Sequence, residues 1–283
     1  MYLKDLIRKG EELLSVMYPE GEAREMVFAY LEDVLGTKRH THIVDPGYLV
    51  NEADVRNSIE AFERMAGGEP LQYVTGKAWF YGREFKVTPD VLIPRPETEL
   101  LCREVVQACG QLSNPRILDL CTGSGCIAWT LSMEMQGSSV TAVDISEAAL
   151  SIASGQQFSK TGATSPMFVQ ADVLGDLDFE DGRFDIIVSN PPYVMDSEKS
   201  LMRVNVLDHE PHLALFVPDD DPLLFYKALA RHSSRLLSSG GYGIVEINEA
   251  LGQETAQLFE AEGFRSRIIK DLYGKDRFVA YSR

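Results

Sequence analysis

Arg116-Ile117-Leu118-Asp119-Leu120-Cys121-Thr122-Gly123-Ser124-Gly125-Cys126 runs from a short apolar stretch into a pair of glycines and then into helix-forming sequence. The apolar stretch predicts a strand over 116–120, and the glycines let the backbone approach a ligand that a β-carbon would push away. A parallel sheet binds ligands beyond the carboxyl ends of its strands, where the strand order reverses. The alternative is a tight strand–helix turn with a capping aspartate and no ligand.

Outward from that loop, short apolar runs alternate with helical segments. Strands are predicted at Arg116–Leu120, Ser139–Asp144, Met167–Ala171, Phe184–Ser189, Tyr242–Ile247, Ser266–Lys270 and Arg277–Tyr281. Helices are expected at 126–136, 147–160, 222–239 and 250–262. This alternation predicts an α/β fold with a doubly wound, mainly parallel sheet. The last two strands are joined only by Asp271–Asp276, too short for a parallel crossover, so they are expected to be antiparallel neighbours.

Upstream the texture is different. Apolar residues recur at helical spacing in Leu3, Leu6, Ile7, Leu13, Leu14 and Met17, and again in Met26, Val27, Tyr30, Leu31 and Leu35. A third helix is expected from Glu52 to Met65, closed by Gly67-Gly68. Residues 1–68 therefore read as a small helical domain. Residues 69–96, with Tyr73, Val74, Trp79, Phe80, Phe85 and Val87 among Gly76 and Gly82, read as a β-hairpin connector. Residues 97–283 form the large domain, entered by a helix from Glu97 to about Gly110.

The formal net charge is −16 over 283 residues, which disfavours broad binding to phosphate backbones. A protein substrate fits this balance better than a naked duplex. No apolar run approaches the roughly 20 residues a membrane helix needs, and the N-terminus lacks a secretory core. Cys102, Cys109, Cys121 and Cys126 contain no Cys-x-x-Cys pair and read as thiols of a reducing cytoplasm.

Three features carry chemistry. Asp144 ends the second predicted strand 21 residues after Gly123, where a carboxylate can accept hydrogen bonds from both ribose hydroxyls of a nucleoside. Alanine at 128 takes the third position of the glycine fingerprint, which leaves both a dinucleotide and S-adenosylmethionine open. Asp172 follows the third strand, placed to meet an adenine amino group with Val173 against the ring; a helix cap explains it equally well. Finally, Asn190-Pro191-Pro192-Tyr193 follows the apolar strand ending at Ser189. Consecutive prolines fix their dihedrals and donate nothing, freeing the Pro191 carbonyl. With the Asn190 side-chain oxygen it forms a rigid pair of acceptors for the two hydrogens of a planar –NH2, and Tyr193 offers a face to stack on. Holding both hydrogens aims the nitrogen lone pair at a methyl donor.

Cys121–Gly125, Asp144 and Asn190–Tyr193 on this plan resemble amino-methyltransferases with an Asn/Asp-Pro-Pro-aromatic motif. Pro70-Leu71-Gln72-Tyr73-Val74-Thr75-Gly76, Ile93-Pro94-Arg95-Pro96-Glu97-Thr98-Glu99 and Asp271-Leu272-Tyr273-Gly274-Lys275-Asp276-Arg277 narrow the resemblance to the HemK-like family of peptide chain release factor glutamine methyltransferases. It covers nearly the whole chain. It implies a seven-stranded, Rossmann-like methyltransferase domain dependent on S-adenosyl-L-methionine, and an N-terminal helical domain that docks the release factor. The implied substrate is the glutamine of the Gly-Gly-Gln loop of class 1 release factors, in the cytoplasm, with no direct nucleic-acid partner and no membrane.

By position, the resemblance puts Cys121, Thr122, Gly123, Ser124 and Gly125 under the methionine part of the cofactor, Asp144 at the ribose, and Asp172 and Val173 at the adenine. Asn190 touches both cofactor and substrate; Pro191, Pro192 and Tyr193 shape the glutamine pocket. Cys121 stands where the family usually has glycine, and is expected to be tolerated provided it keeps a negative φ, and to weaken cofactor binding if φ is above zero. Asn248, also at a usual glycine, is expected to matter less.

His40 and His42 lack partners for a metal, and His209-Glu210-Pro211-His212 is not a zinc motif because its proline blocks the required helix. Glu97 could reach the active site, and a helix dipole explains it as well; Asp219–Asp221 reads as a solvated helix start. The rival functions are a DNA adenine amino-methyltransferase, which uses the same motif on a flipped base, a dinucleotide-dependent oxidoreductase, and a silent binding module on the same fold.

Overall fold

The computed structural model describes residues 1–158 and 163–283. The chain divides into two compact units, Met1–Lys77 with Met202–His209, and Ala78–Leu201 with Glu210–Arg283.

The first unit is helical: α1 (Leu3–Leu14), α2 (Glu20–Leu35), α3 (Thr41–Val44), α4 (Glu52–Ala66) and α5 (Leu71–Thr75). Its core is the apolar stripe of three long helices, with Leu6, Leu14, Val27, Leu31, Phe62 and Met65 buried. Gly10 lets them approach closely, since a β-carbon there would sit 2.8 Å from both Phe62 and Val27. Asn51 starts α4 by accepting the Asp54 amide at 2.9 Å. Tyr73 and Val74, expected in a hairpin, lie on α5 instead. Pro70 opens that turn and Gly76, at φ +73°, closes it.

In chain order there follow β1 (Lys77–Phe80), β2 (Arg83–Lys86), α6 (Thr98–Cys109), β3 (Arg116–Leu120), α7 (Cys126–Glu134), β4 (Ser139–Asp144), α8 (Glu147–Ser154), β5 (Met167–Gln170), β6 (Phe184–Ser189), β7 (Val194–Met195), α9 (Val204–Leu207), β8 (Phe216–Val217), α10 (Leu224–Leu236), β9 (Leu237–Glu246), α11 (Gly252–Ala261), β10 (Arg265–Lys270) and β11 (Asp276–Ser282). Helix α9 belongs to the first unit. Strands β1 and β2 make a hairpin whose central residues, Tyr81 and Gly82, both have positive φ, as a twisted two-residue turn requires.

The large sheet has the order β10-β11-β9-β6-β3-β4-β5, parallel from β9 to β5 and antiparallel where β11 meets β9 and β10. Its strands feed two cores. Ile117, Ile186, Val188 and Ile244 pack on one face, and Leu118, Ile187, Val245 and Val279 on the other. Helices on both faces explain why these strands read as continuous apolar runs. Tyr281 lies across Gly243, where a β-carbon would come within 2.2 Å of its ring.

The two largest differences from the expected boundaries are in β9 and α8. Strand β9 begins at Leu237, not Tyr242, because Ser238–Gly241 offers little to pack and forms an irregularity in the pairing with β6, with Gly240 at φ +77°. Helix α8 ends at Ser154, and residues 159–160 of the expected helix lie outside the described residues. Among the described residues, no helix is long and apolar enough to cross a membrane. Strand order reverses on either side of β3, so the carboxyl ends of β3, β4 and β6 frame the crevice.

Candidate active site

A cleft opens at that edge, lined by Cys121, Thr122, Gly123, Ser124, Asp144, Asp172, Val173, Asn190 and Pro192 among others. Gly125, Pro191 and Tyr193 are not among its lining residues. Gly125 instead works behind the wall. At φ +78° it begins α7 with Ala153 and Trp129 so close that a β-carbon would meet them at 3.0 and 3.2 Å. Gly123, also left-handed, has nothing within 4 Å of where a β-carbon would stand, so its bare face opens on the cleft.

The loop is fixed from below. Thr122 donates its amide to Val143 at 3.0 Å and its hydroxyl to Asp119 at 2.6 Å. Asp119 is wholly buried, and desolvation pushes its carboxyl up to about 7, with the nearby Asp144 charge adding to the rise. Cys121 corrects an expectation: its φ is +62°, the left-handed region, where a β-carbon crowds the following carbonyl. The turn out of β3 demands this conformation and the side chain pays for it in strain. Burial, and then the Asp144 charge, push the Cys121 thiol far up, so it stays protonated.

Asp144 ends β4 with each oxygen already accepting one amide, Gly123 at 2.8 Å and Ser146 at 3.0 Å. A carboxylate has about four lone-pair sites, so one on each oxygen remains for a pair of hydroxyls. Burial raises its pKa, and the Ser146 and Gly123 amides restrain the rise, with a smaller pull from the nearby Ile145 dipole. Ile145, next in sequence, is 46% exposed on the cleft wall, and Val173 supplies a second apolar surface. Asp172 accepts the Leu174 amide at 2.9 Å in a local turn. A vicinal-diol acceptor, two apolar walls and a glycine floor fit the nucleoside end of S-adenosylmethionine. No feature of the set calls for a pyrophosphate.

Asn190 follows β6, whose last residue, Ser189, ties to the end of β3 through a 2.7 Å bond to the Leu120 carbonyl. Its Nδ2 donates to Thr98 Oγ1 at 3.1 Å, Thr98 donates to Glu246 Oε2 at 2.7 Å, and Tyr193 donates to Glu246 Oε1 at 3.0 Å. Glu246 is 1% exposed, and burial raises its pKa against the opposing pull of those two hydroxyls and Arg277. The Pro191 carbonyl accepts no backbone hydrogen bond among the described residues. Asn248 is more consequential than expected: its Nδ2 bonds the Tyr193 carbonyl at 3.2 Å and Glu198 at 3.1 Å, while Oδ1 accepts the Ala250 amide at 3.0 Å.

The motif reading missed Thr98, Asp119, Ile145, Glu210 and Glu246. Glu210 is buried and joins two parts of the cleft wall, accepting Ile93 N at 3.2 Å and Arg95 Nη2 at 2.7 Å. A signal existed for three of them: Thr98 lies in the Arg-Pro-Glu-Thr-Glu segment, Asp119 in the glycine loop's own strand, and Ile145 beside Asp144.

The family model of the methyltransferase small domain matches residues 96–210, and that of the PrmC N-terminal domain matches residues 5–76. The release factor glutamine methyltransferase of Bacteroides thetaiotaomicron is 40% identical over 95% of this chain and 96% of its own length. The proteins of the same name from Flavobacterium psychrophilum and Leptospira interrogans are 36% and 34% identical, over 99% and 98% of this chain and 98% and 97% of theirs. Among solved structures, a methyltransferase from Pyrococcus furiosus aligns with a TM-score of 0.49 at 15% identity, over 72% of this chain and 90% of that one, and adds nothing to the assignment. Identity at this level along the full length means that the chain belongs to the release factor glutamine methyltransferase family and is an S-adenosylmethionine-dependent methyltransferase.

Proposed function

We propose that this enzyme methylates the side-chain amide nitrogen of the glutamine in the Gly-Gly-Gln motif of class 1 peptide chain release factors. The observation that carries the reading is the setting of Asn190: it lines the cleft with Nδ2 engaged by Thr98, which leaves Oδ1 as an acceptor for a substrate N–H.

When bound, S-adenosylmethionine supplies an electrophilic methyl group. Asp144 would hold the ribose hydroxyls, Asp172 and Val173 would face the adenine, and the loop residues 121–124 would lie under the methionine part. The chain's main task is the nucleophile. An amide nitrogen is weak because its lone pair is shared with the carbonyl. Asn190 Oδ1 and the Pro191 carbonyl each accept one of its hydrogens, which favours a pyramidal nitrogen with its lone pair held in a single direction. Pro192 lines the slot for the flat amide, and Tyr193, held by Glu246, backs the loop behind it. Positioning and charge complementarity supply the acceleration, with no covalent enzyme intermediate. The nitrogen would take the methyl carbon as the carbon–sulfur bond breaks, with S-adenosylhomocysteine as leaving group, and then shed one proton to solvent, since that proton turns acidic only as positive charge develops.

Mass spectrometry of a class 1 release factor, incubated with the enzyme and S-adenosylmethionine, tests this directly. One added methyl on the Gly-Gly-Gln glutamine is expected. Methyl transfer to DNA adenine, with the release factor unmodified, would overturn the proposal.

A further inference from the structure

Three side chains from three separate elements meet in series behind the substrate slot. Asn190 follows β6, Thr98 opens α6 and Glu246 ends β9, with heavy-atom separations of 3.1 and 2.7 Å along the series. Thr98 is 2% and Glu246 1% exposed, so water does not relieve a mismatched donor or acceptor between them. We infer that Thr98 and Glu246 are positioning residues that decide which end of the Asn190 carboxamide faces the substrate. This inference rests on the reading of Asn190 as an acceptor for a substrate amide.

An ionised carboxylate only accepts hydrogen bonds. Both oxygens of Glu246 are met by hydroxyls, Thr98 on one and Tyr193 on the other. Thr98 has a single hydroxyl proton and commits it to Glu246, so toward Asn190 it offers only lone pairs. Only the –NH2 end of Asn190 can satisfy them. Turned around, Oδ1 would oppose another acceptor inside a buried contact and leave both unsatisfied. Polarity set at Glu246 therefore passes through Thr98 and emerges as an oxygen pointed at the substrate. A reversed carboxamide would present –NH2 against the –NH2 of the incoming glutamine.

The relay makes a prediction that a packing role does not. Asn190→Asp replaces the donor facing Thr98 with an acceptor and breaks the series. Glu246→Gln supplies a donor at the far end and allows the whole series to reverse. With both changes in place, the new amide at position 246 donates to Thr98, and Thr98 donates to the new carboxylate at position 190. The second oxygen of that carboxylate is left as acceptor for the substrate. The exchange also conserves charge.

The test measures kcat and KM for release-factor methylation in wild type, N190D, E246Q and the double variant, with S-adenosylmethionine affinity by calorimetry. N190D should lower kcat about 100-fold, the scale of a mispositioned reacting group. E246Q should lower it about 10-fold, because the series can then reverse and turn the Asn190 –NH2 toward the substrate part of the time. The double variant should recover to at least about 10 times the N190D rate, with cofactor affinity changing far less than kcat throughout. Thr98→Val should lower kcat rather than raise KM, and Thr98→Ser should restore most of that loss. Losses that simply multiply in the double variant, with cofactor affinity retained, overturn the relay. A wild-type enzyme that methylates no release factor overturns the functional reading instead, and the relay with it.

Discussion

Glu210 and Arg95, 115 residues apart in sequence, form an ion pair of 2.7 Å in which the carboxylate side chain is almost wholly buried. Because Glu210 also accepts the Ile93 amide, it joins the stretch before α6 to the stretch before β8, and both contribute to the cleft. Removing one partner of a buried pair leaves the other uncompensated. Glu210→Ala is expected to cost roughly 2–4 kcal/mol, at the lower end because Arg95 stays partly exposed. Glu210→Gln, which still accepts from Ile93, should cost less than half of that. Urea denaturation of the two variants separates the ion pair from the amide contact.

Cys121 occupies a left-handed turn that glycine adopts without strain. Cys121→Gly should raise stability by about 1 kcal/mol, the left-handed penalty less the entropy that glycine adds to the unfolded chain. Cys121→Ala, which keeps the β-carbon, should not. Relief of the same strain should tighten S-adenosylmethionine binding a few-fold, read by calorimetry. The wild-type thiol, held protonated by burial and by Asp144, is expected to resist iodoacetamide at pH 8.

Asp144→Asn keeps one acceptor but removes the charge and one oxygen. Loss of a charged hydrogen bond is worth about 1.5–3 kcal/mol, so cofactor affinity should fall roughly 10- to 100-fold. The rise in melting temperature that saturating S-adenosylmethionine gives the wild type should shrink accordingly. A variant that keeps the full rise would remove Asp144 from the ribose.

Asp119 makes stability depend on pH. Its carboxyl is raised from 3.8 when exposed to about 7 in the fold, so the folded state holds the proton more tightly. Stability from this group is therefore present at low pH and is lost as pH climbs from about 4 to about 7. Asp119→Asn does not titrate. Relative to wild type it should gain on the order of 2 kcal/mol between pH 5 and pH 8, whatever its offset at either value. Denaturation midpoints at the two pH values supply the comparison.

The strand–helix alternation was legible because sheets covered on both faces leave unbroken apolar runs such as Ile186–Val188. Asp144 and Asn190 were legible because each directly follows such a run, where a crevice must form. The left-handed φ of Cys121 was not, since a backbone angle leaves no trace in a residue that tolerates several. Nor was the Thr98–Glu246 contact, whose members lie 148 residues apart and meet only through the order of the strands. Between Val194 and Leu223 short strands and single helical turns follow one another, held by side-chain bonds such as that of Ser197 to Asp219. Hydrophobic periodicity carries no information about such a stretch.

Asn248 has a practical corollary for anyone rebuilding the pocket. Through one carboxamide it fastens the loop after Asn190 to the tip of β9 and to the start of the chain leading into α11. Loop transplants between homologues that exchange 190–198 alone would arrive without their anchor. The portable module is the loop together with position 248, and selection schemes that diversify one should diversify the other.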